Sequence, residues 1–386
     1  MQTTVSIPRS GFSFAQTQQF ALPVAFALFG LVMGSWAGRI PSLAEGVKVS
    51  HSALSMVLLC GGLGAILSFP ISSFLMGRFG ARKSLLMSGM ALLAVLVAIG
   101  KAPDVARLMM AVLLLGVTAS VYDVAINSAA TKREKQTGKS EMSRLHGISC
   151  AGGLVGATLG SLMASMKIAP ATHFLMLVGP LALVLCLAFF MMGRDDEAVE
   201  KVEKKSFSLP RGPLALLGVL GFLGSMTEGS IADWSGVFLK QHFGASDGLA
   251  PLALSAFSVM MLLSRMVGDK LKMRFGAQRL VTLGSLVGGC GLIFAVLAPN
   301  AHVALAGFAV AGLGLALLFP FVFSAAGTQG PMALAAVASM AYSGTLMGPP
   351  VIGAVAHFAG MQVAIAYLGG LTLIIAFVAS RTKLLK

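Results

Sequence analysis

This sequence is poor in charge. Only 11% of its 386 residues are Asp, Glu, Lys or Arg, whereas soluble domains carry about 25%. Trp and Tyr are also scarce, at two and three residues, while 56% of the chain is hydrophobic. A water-soluble fold cannot cover that much apolar surface, so the expected solvent is lipid. The four cysteines, Cys60, Cys150, Cys186 and Cys290, each lie inside an apolar run. None has Cys-x-x-Cys or Cys/His spacing, so they read as small buried hydrophobes. Neither His-Glu-x-x-His nor Gly-x-Ser-x-Gly occurs, and Gly138-Lys139-Ser140 lacks the upstream glycine and strand of a phosphate loop. These absences argue against an enzyme, and no metal or cofactor is expected. The first nineteen residues are polar and have no cleavage signal, so the first apolar span is read as the anchor.

The formal net charge of +14 raises the question of nucleic acid. Its placement argues against such a partner, because the basic residues sit in short loops between apolar runs and not on one polar face. Runs long enough to span a bilayer fall near 20–41, 52–76, 84–100, 105–130, 145–166 and 171–192, then near 213–240, 249–268, 280–298, 303–326, 332–357 and 362–380. This is an all-α membrane protein of twelve expected transmembrane helices in two six-helix bundles, 1–192 and 213–386, joined by a polar linker at 193–212. Placing both termini in the cytoplasm puts 22 of the 28 Lys+Arg inside, counting Arg265 with the loop after span 8, and leaves Arg39, Lys48, Lys101, Arg107, Lys167 and Lys240 outside. That split follows the positive-inside rule.

The halves are repeats. Arg78-Phe79-Gly80-Ala81 recurs as Arg274-Phe275-Gly276-Ala277, and Ser128-Ala129-Ala130 as Ser324-Ala325-Ala326, both at an offset of 196. The only tryptophans, Trp36 and Trp234, match at 198. Parallel repeats of this kind are a transporter architecture with the site between the halves near mid-membrane.

The repeat and the RFGARK and RFGAQR loops resemble the major facilitator superfamily over essentially the whole chain. More finely, GSWAGRIPSL, DVAINSAA, MSRLHGISCAGGLVGA, EGSIADWSGVFL and GTLMGPPVIG resemble YbjJ-type inner-membrane proteins and, more distantly, the fucose-permease group of proton-coupled sugar symporters. The resemblance implies a multi-pass inner-membrane protein, a monomer, with conformational loops at Arg78, Gly80, Arg82, Arg274 and Gly276. The acid usual before the loop arginine is replaced by Gly77 and Met273, with Asp269 five residues before Arg274 instead. The first span lacks the fucose-permease acid, while the span 4 acid finds a match at Asp123. Ala157 stands where the antiporter signature expects proline, and Pro349-Pro350 lies in span 11, where a bend is expected.

Three acids fall within spans: Asp123, Glu228 and Asp233. An ionisable group at mid-membrane costs about 2.5–3.5 kcal/mol on insertion scales and is tolerated facing a cavity or a partner. Such a carboxyl is a candidate to load and release a proton, so Asp123 and Glu228 are the expected proton-coupling residues. Asn127, one turn beyond Asp123, shares its face. Tyr122 and Asn127 are expected to hydrogen-bond a polyol-like solute, with Trp36, Trp234 and Tyr342 flanking the cavity or lying in the interfacial aromatic belt. His146 is expected either to relay a proton or to sit at headgroup level. Glu228 and Asp233, at i and i+5, cannot both point straight into one cavity. Arg39 is read as the only basic residue at comparable depth, closing an outer gate with Asp233 or Glu228, or else snorkelling to the interface. The glycine ridges Gly30, Gly34, Gly38 and Gly152, Gly156, Gly160 are expected to pack helices closely.

The function expected is rocker-switch import of a small polar, sugar-like solute by proton symport. Proton-driven efflux of a metabolite or drug is the second reading. A non-transporting membrane sensor or scaffold is the rival of another class.

Overall fold

The computed structural model describes residues 14–47, 51–192, 211–245, 249–250 and 252–386. The N-terminal polar segment with Arg9, Lys48 and the linker stretch 193–210 with Arg194, Lys201, Lys204 and Lys205 lie outside the described residues. Every regular element among the described residues is helical. In chain order these are α1 (Phe14–Ala37), the short α2 (Ile40–Gly46), α3 (His51–Gly100), α4 (Val105–Thr137), α5 (Met142–Ser165) and α6 (Pro170–Met191). Then come α7 (Pro213–Phe243), α8 (Leu252–Phe275), α9 (Ala277–Leu297), α10 (Ala301–Leu315), α11 (Leu318–Thr328), α12 (Pro331–Ala359) and α13 (Met361–Arg381). Hydrocarbon offers no partner to a backbone N–H or C=O, so each segment must satisfy its own, and the helix does so.

Ten segments among the described residues are long and apolar enough to cross a membrane. The longest, Met56–Gly100, has 45 residues; at 1.5 Å per residue it would run about 68 Å, roughly twice a hydrocarbon core. It is broken at Gly80, with φ 73° and ψ 173°. The repeat of that turn, Gly276 between α8 and α9, has φ 78°. Both lie in the left-handed region that strains any residue with a Cβ, which is the physical content of the repeated Arg-Phe-Gly-Ala. Large apolar side chains such as Phe74, Phe190 and Phe358 are exposed around the outside, as a lipid-facing surface requires.

Helices α1, α3, α4, α5 and α6 pack chiefly on one another, as do α7 through α13. The contacts within each group are backbone to backbone. A Cβ on Gly30 or Gly34 would overlap the carbonyls of Ser149 or Gly153 on α5, and one on Gly156 would overlap the carbonyl of Leu31 on α1. The α3–α4 and α8–α10 crossings repeat one another. Gly116 lies on the Gly61 carbonyl and Gly312 on the Phe257 carbonyl, pairs related by the offset of 196.

The expected span at 303–326 is two helices. They part at Ala316 and Leu317. Pro320 has no N–H to give the carbonyl four residues back, which is that of Ala316, and this oxygen accepts from the Arg265 side chain instead. Helix α12 runs through Pro349-Pro350 from 331 to 359.

These contacts predict that Gly34→Leu lowers the thermal midpoint of the detergent-solubilised protein, costing at least the ~1–3 kcal/mol of overpacking. Gly179→Ala, made where space is open, should cost nothing. Equal midpoints for the two variants would show that α1 and α5 are not in backbone contact.

Candidate functional site

Asp123 lies on α4 with 8% of its surface exposed. Its Oδ2 accepts from the Tyr342 hydroxyl of α12 at 2.7 Å, and its Oδ1 from Asn127 Nδ2 at 3.1 Å. Asn127 is one turn on, so both side chains leave the helix on one face. The Asn127 Oδ1 meets His146 Nε2 of α5 at 2.9 Å. The His146 ring lies 5.5 Å from the ring of Phe26 and 6.1 Å from that of Phe323. A hydrogen-bonded chain, Tyr342–Asp123–Asn127–His146, therefore spans both halves of the molecule.

A second polar cluster adjoins it. Glu228 of α7 helps line a cavity of ≈ 320 Å³ with Ser225, Gly229, Ala232, Phe319 and Thr345. Its Oε1 is 3.7 Å from Nη2 of Arg265. Arg265 also donates from Nε to the Ala316 carbonyl at 2.9 Å, and its Nη1 is 2.8 Å from Cys150 Sγ of α5. Arg265 is 5% exposed and lies within electrostatic reach of His146.

One end of the site is sealed by contacts between the halves. Asp269 of α8 accepts from the backbone N–H of Ser143 at 3.1 Å, that of Arg144 at 2.7 Å and the Ser140 hydroxyl at 2.9 Å. It thereby caps the first turn of α5, where N–H groups lack helical partners and negative charge is favoured. Glu134 at the end of α4 accepts from the Ser324 hydroxyl of α11 at 2.6 Å, and Lys135 Nζ donates to the Thr328 carbonyl at 3.0 Å. The sealed end carries the Gly80 and Gly276 turns. Towards the other end Ala232, one turn beyond Glu228 on the cavity wall, is exposed.

Several expected roles change. Tyr122 does not face this site. It is fully buried, its hydroxyl donates to the Ala25 carbonyl at 3.0 Å, and its ring stacks on Phe29. As the neighbour of Asp123 it points about 100° away. Trp36 is buried in the core of the first half. Trp234 is half-buried beside Gly353. Arg39 forms no gate with Asp233 or Glu228 here and does not snorkel. It is 1% exposed and donates to the Gly160 and Ile168 carbonyls of its own half. Asp233 is exposed. Nor is Arg39 the only basic residue at depth. Arg265, which the charge count assigned to a loop, is buried in α8 and takes Glu228 as its partner. Among the loop residues, Arg78 and Arg274 are exposed over the adjacent rings of Phe79 and Phe275. Arg82 Nε donates to the Phe189 carbonyl at 3.0 Å.

Arg265, Cys150 and Glu134 escaped the sequence reading. The signal for Arg265 was its place inside the apolar run 249–268. No local pattern marks a cysteine or a helix-end glutamate that meets a distant partner.

A helical membrane protein with two packed groups of helices, a buried acid chain between them and a cavity beside it belongs to the class of polytopic carriers. The profile of the Major Facilitator Superfamily matches residues 22–343, and the chain belongs to that superfamily of transporters. It is 31% identical over 364 residues to an uncharacterised transporter of this type from Yersinia pestis, covering 93% of this chain and 94% of that one. It is 29% identical to the membrane protein MosC of Rhizobium meliloti, covering 92% and 88%. Among solved structures it resembles a point variant of the Escherichia coli fucose:proton symporter FucP, with TM-score 0.77, 16% identity and 95% and 98% coverage, and the transporter FucP in the outward conformation, with TM-score 0.78, 14% identity and 96% and 98% coverage. It also resembles the human organic anion transporter MFSD10, with TM-score 0.76, 16% identity and 94% and 99% coverage.

The seal predicts that Asp269→Ala releases the two halves at the closed end, because an acid accepting three hydrogen bonds from the opposite half is removed. Spin labels at Lys139→Cys and Lys270→Cys, both exposed, should show one short distance in the parent and an added longer one in the variant. An unchanged distribution would mean that Asp269 does not hold the seal.

Proposed function

We propose that this protein moves a small polar, sugar-like solute by proton symport, with Asp123 as the proton-binding group. The reading places twelve passes in the cell inner membrane with both termini cytoplasmic. Bundles 1–192 and 213–386 rock about the site, and 193–212 links them. The protein acts as a monomer, and the sealed end is cytoplasmic, so the conformation described above faces outward.

One observation carries this reading. Both Asp123 oxygens are held by neutral donors, Tyr342 from the opposite half and Asn127 from its own helix, with no cation beside them among the described residues. A bare carboxylate withdrawn from water costs several kcal/mol without a countercharge, and a proton supplies one. Protonated, the group crosses a closed, dry state at lower cost. The bond to Tyr342 ties its charge state to the approach of the two halves. His146, joined through Asn127, is the second member of the proton path, and Glu228 is the acid at the cavity wall. A cavity of ≈ 320 Å³ suits a small solute, and the hydroxyls of Ser225 and Thr345 beside Glu228 suit a hydroxylated one. A dry, sealed core would instead have favoured a sensor or scaffold. FucP, with the same fold, is a fucose:proton symporter, which agrees with this choice.

Purified protein in liposomes with an internal pH dye tests the proposal. Adding pools of sugars and polar metabolites outside should acidify the interior, and Asp123→Asn should abolish the signal. Alkalinisation from proton-loaded liposomes would convert the reading to efflux by antiport. Silence towards every pool from folded protein would remove Asp123 as the proton site and return the sensor or scaffold reading.

A further inference from the structure

Two arginines are buried among the described residues, Arg39 and Arg265. Arg39 meets only backbone carbonyls of its own half. Arg265 touches three separate parts: Glu228 on the cavity wall, the Ala316 carbonyl at the break between α10 and α11, and Cys150 of the opposite half. Its own carbonyl accepts from the Ser143 hydroxyl of the opposite half at 2.7 Å. One turn further along α8, Asp269 caps the same first turn of α5. Gly268 between them lies against Ser143 so closely that a Cβ there would overlap its hydroxyl. The stretch Arg265–Asp269 therefore forms a contact surface of α8 with α5.

We propose that Arg265 is the positioning residue that links the charge on Glu228 to the seal between the halves. Glu228 is the one carboxylate within ion-pair distance of Arg265 among the described residues. The other contacts of the guanidinium are a carbonyl and a sulfur. When the Glu228 charge is cancelled, by a proton or by a cationic group of a solute in the cavity, the guanidinium becomes an uncompensated cation in a dry interface. That arrangement is far less stable than the intact pair. Full hydration of the guanidinium relieves it, and an Arg265 side chain only 6% exposed and packed on α5 gains that hydration when α5 and α8 part. Neutral Glu228 therefore unseals the closed end, and charged Glu228 keeps it shut. The titratable groups facing Arg265 are His146 and Cys150 from α5, Glu228 from α7 and Asp269 on α8 itself. Helix α10 carries only His302, in its first turn, and α9 carries Arg279 in its first turn and an exposed Cys290. The inference goes beyond the proton-symport reading and needs neither the solute nor Asp123.

Hydrogen exchange of the amides of residues 143 and 144, followed by mass spectrometry on the full-length protein, tests it. Those amides are bonded to Asp269 of the opposite half in the sealed state. Glu228→Gln and Arg265→Gln, each leaving one member of the pair without its countercharge, should speed their exchange by about tenfold or more. The double variant, with no charge left unpaired, should return to within about threefold of the parent, a non-additivity expected of a coupled pair. Arg265→Lys, which keeps the charge, should stay nearer the parent than Arg265→Gln. A purely structural Arg265 predicts a double variant at least as fast as the faster single one, and that result would overturn the proposal. If Arg265→Gln does not fold, Glu228→Gln against Glu228→Asp decides the matter. Faster exchange in Gln alone supports the link, and equal exchange in both refutes it. Proton flux through Asp123 is read separately, so either conclusion can fail without the other.

Discussion

A charge carried into a lipid-embedded helix bundle must be answered from inside the protein, because the surrounding hydrocarbon offers neither water nor counterion. The buried charges here are answered in four ways. Asp123 is held by neutral hydroxyl and amide donors, Glu228 and Arg265 by each other, Arg39 by backbone carbonyls, and Asp269 by the open N–H groups of a helix start. Arg39 and the Glu228–Arg265 pair are answered within one packed group of helices, although Arg265 also meets Cys150 of the opposite half. The other answers involve the junction between the groups, so the electrostatics of the interior and the position of the two halves are a single problem. A change of charge at Asp123 or Glu228 alters which arrangement of helices is tolerable.

The contacts within and between the halves differ in kind. Within a half, glycine faces let backbones touch, as Gly34 does on the Gly153 carbonyl and Gly344 on the Phe222 carbonyl. Such packing has no substitute in lipid or water, and it makes each half a stiff unit. Between the halves, at the sealed end, the contacts are hydrogen bonds among Ser140, Ser143, Ser324, Glu134, Lys135 and Asp269. Water can replace each of these at a net cost of about 0.5–1.5 kcal/mol, more for charged groups. Stiff units joined by exchangeable bonds move as bodies, and the exchangeable bonds mark where they part.

The fold was readable because lipid imposes long apolar runs and because the halves repeat. The Gly80 and Gly276 turns appeared twice in one motif, and that redundancy marked both. Asp123 and Asn127 were legible from their spacing on one helix and their depth in an apolar run. Tyr342 and His146 were legible only as candidates, since nothing local says that residues 219 apart will meet. Arg265 was missed for a physical reason. A basic residue four positions before an acid near the end of a span looks like the start of a loop, and only its tertiary partners, Glu228 and the Ala316 carbonyl, reveal it as interior. The break that frees that carbonyl was nonetheless written in Pro320.

The repeat also shows why the site is lopsided in a nearly symmetrical fold. At the offset of 196, Asp123 corresponds to Phe319 and Asn127 to Phe323, while Arg265 corresponds to Phe69. His146 and Tyr342 correspond to each other, and both reach the same helix, α4. Asp123 and Asn127 on α4 and Arg265 on α8 thus each have an aromatic counterpart in the other half. If both halves carried the acids, two carboxylates would face each other across the cavity, and their repulsion in low dielectric would oppose closure. Splitting the roles lets one half hold Asp123 and the other hold the Glu228–Arg265 pair, while Phe319 forms part of the cavity wall and Phe323 packs on the ring of His146. A nearly symmetrical scaffold supplies two stiff halves, and the divergence between its repeats supplies the chemical asymmetry of the site between them.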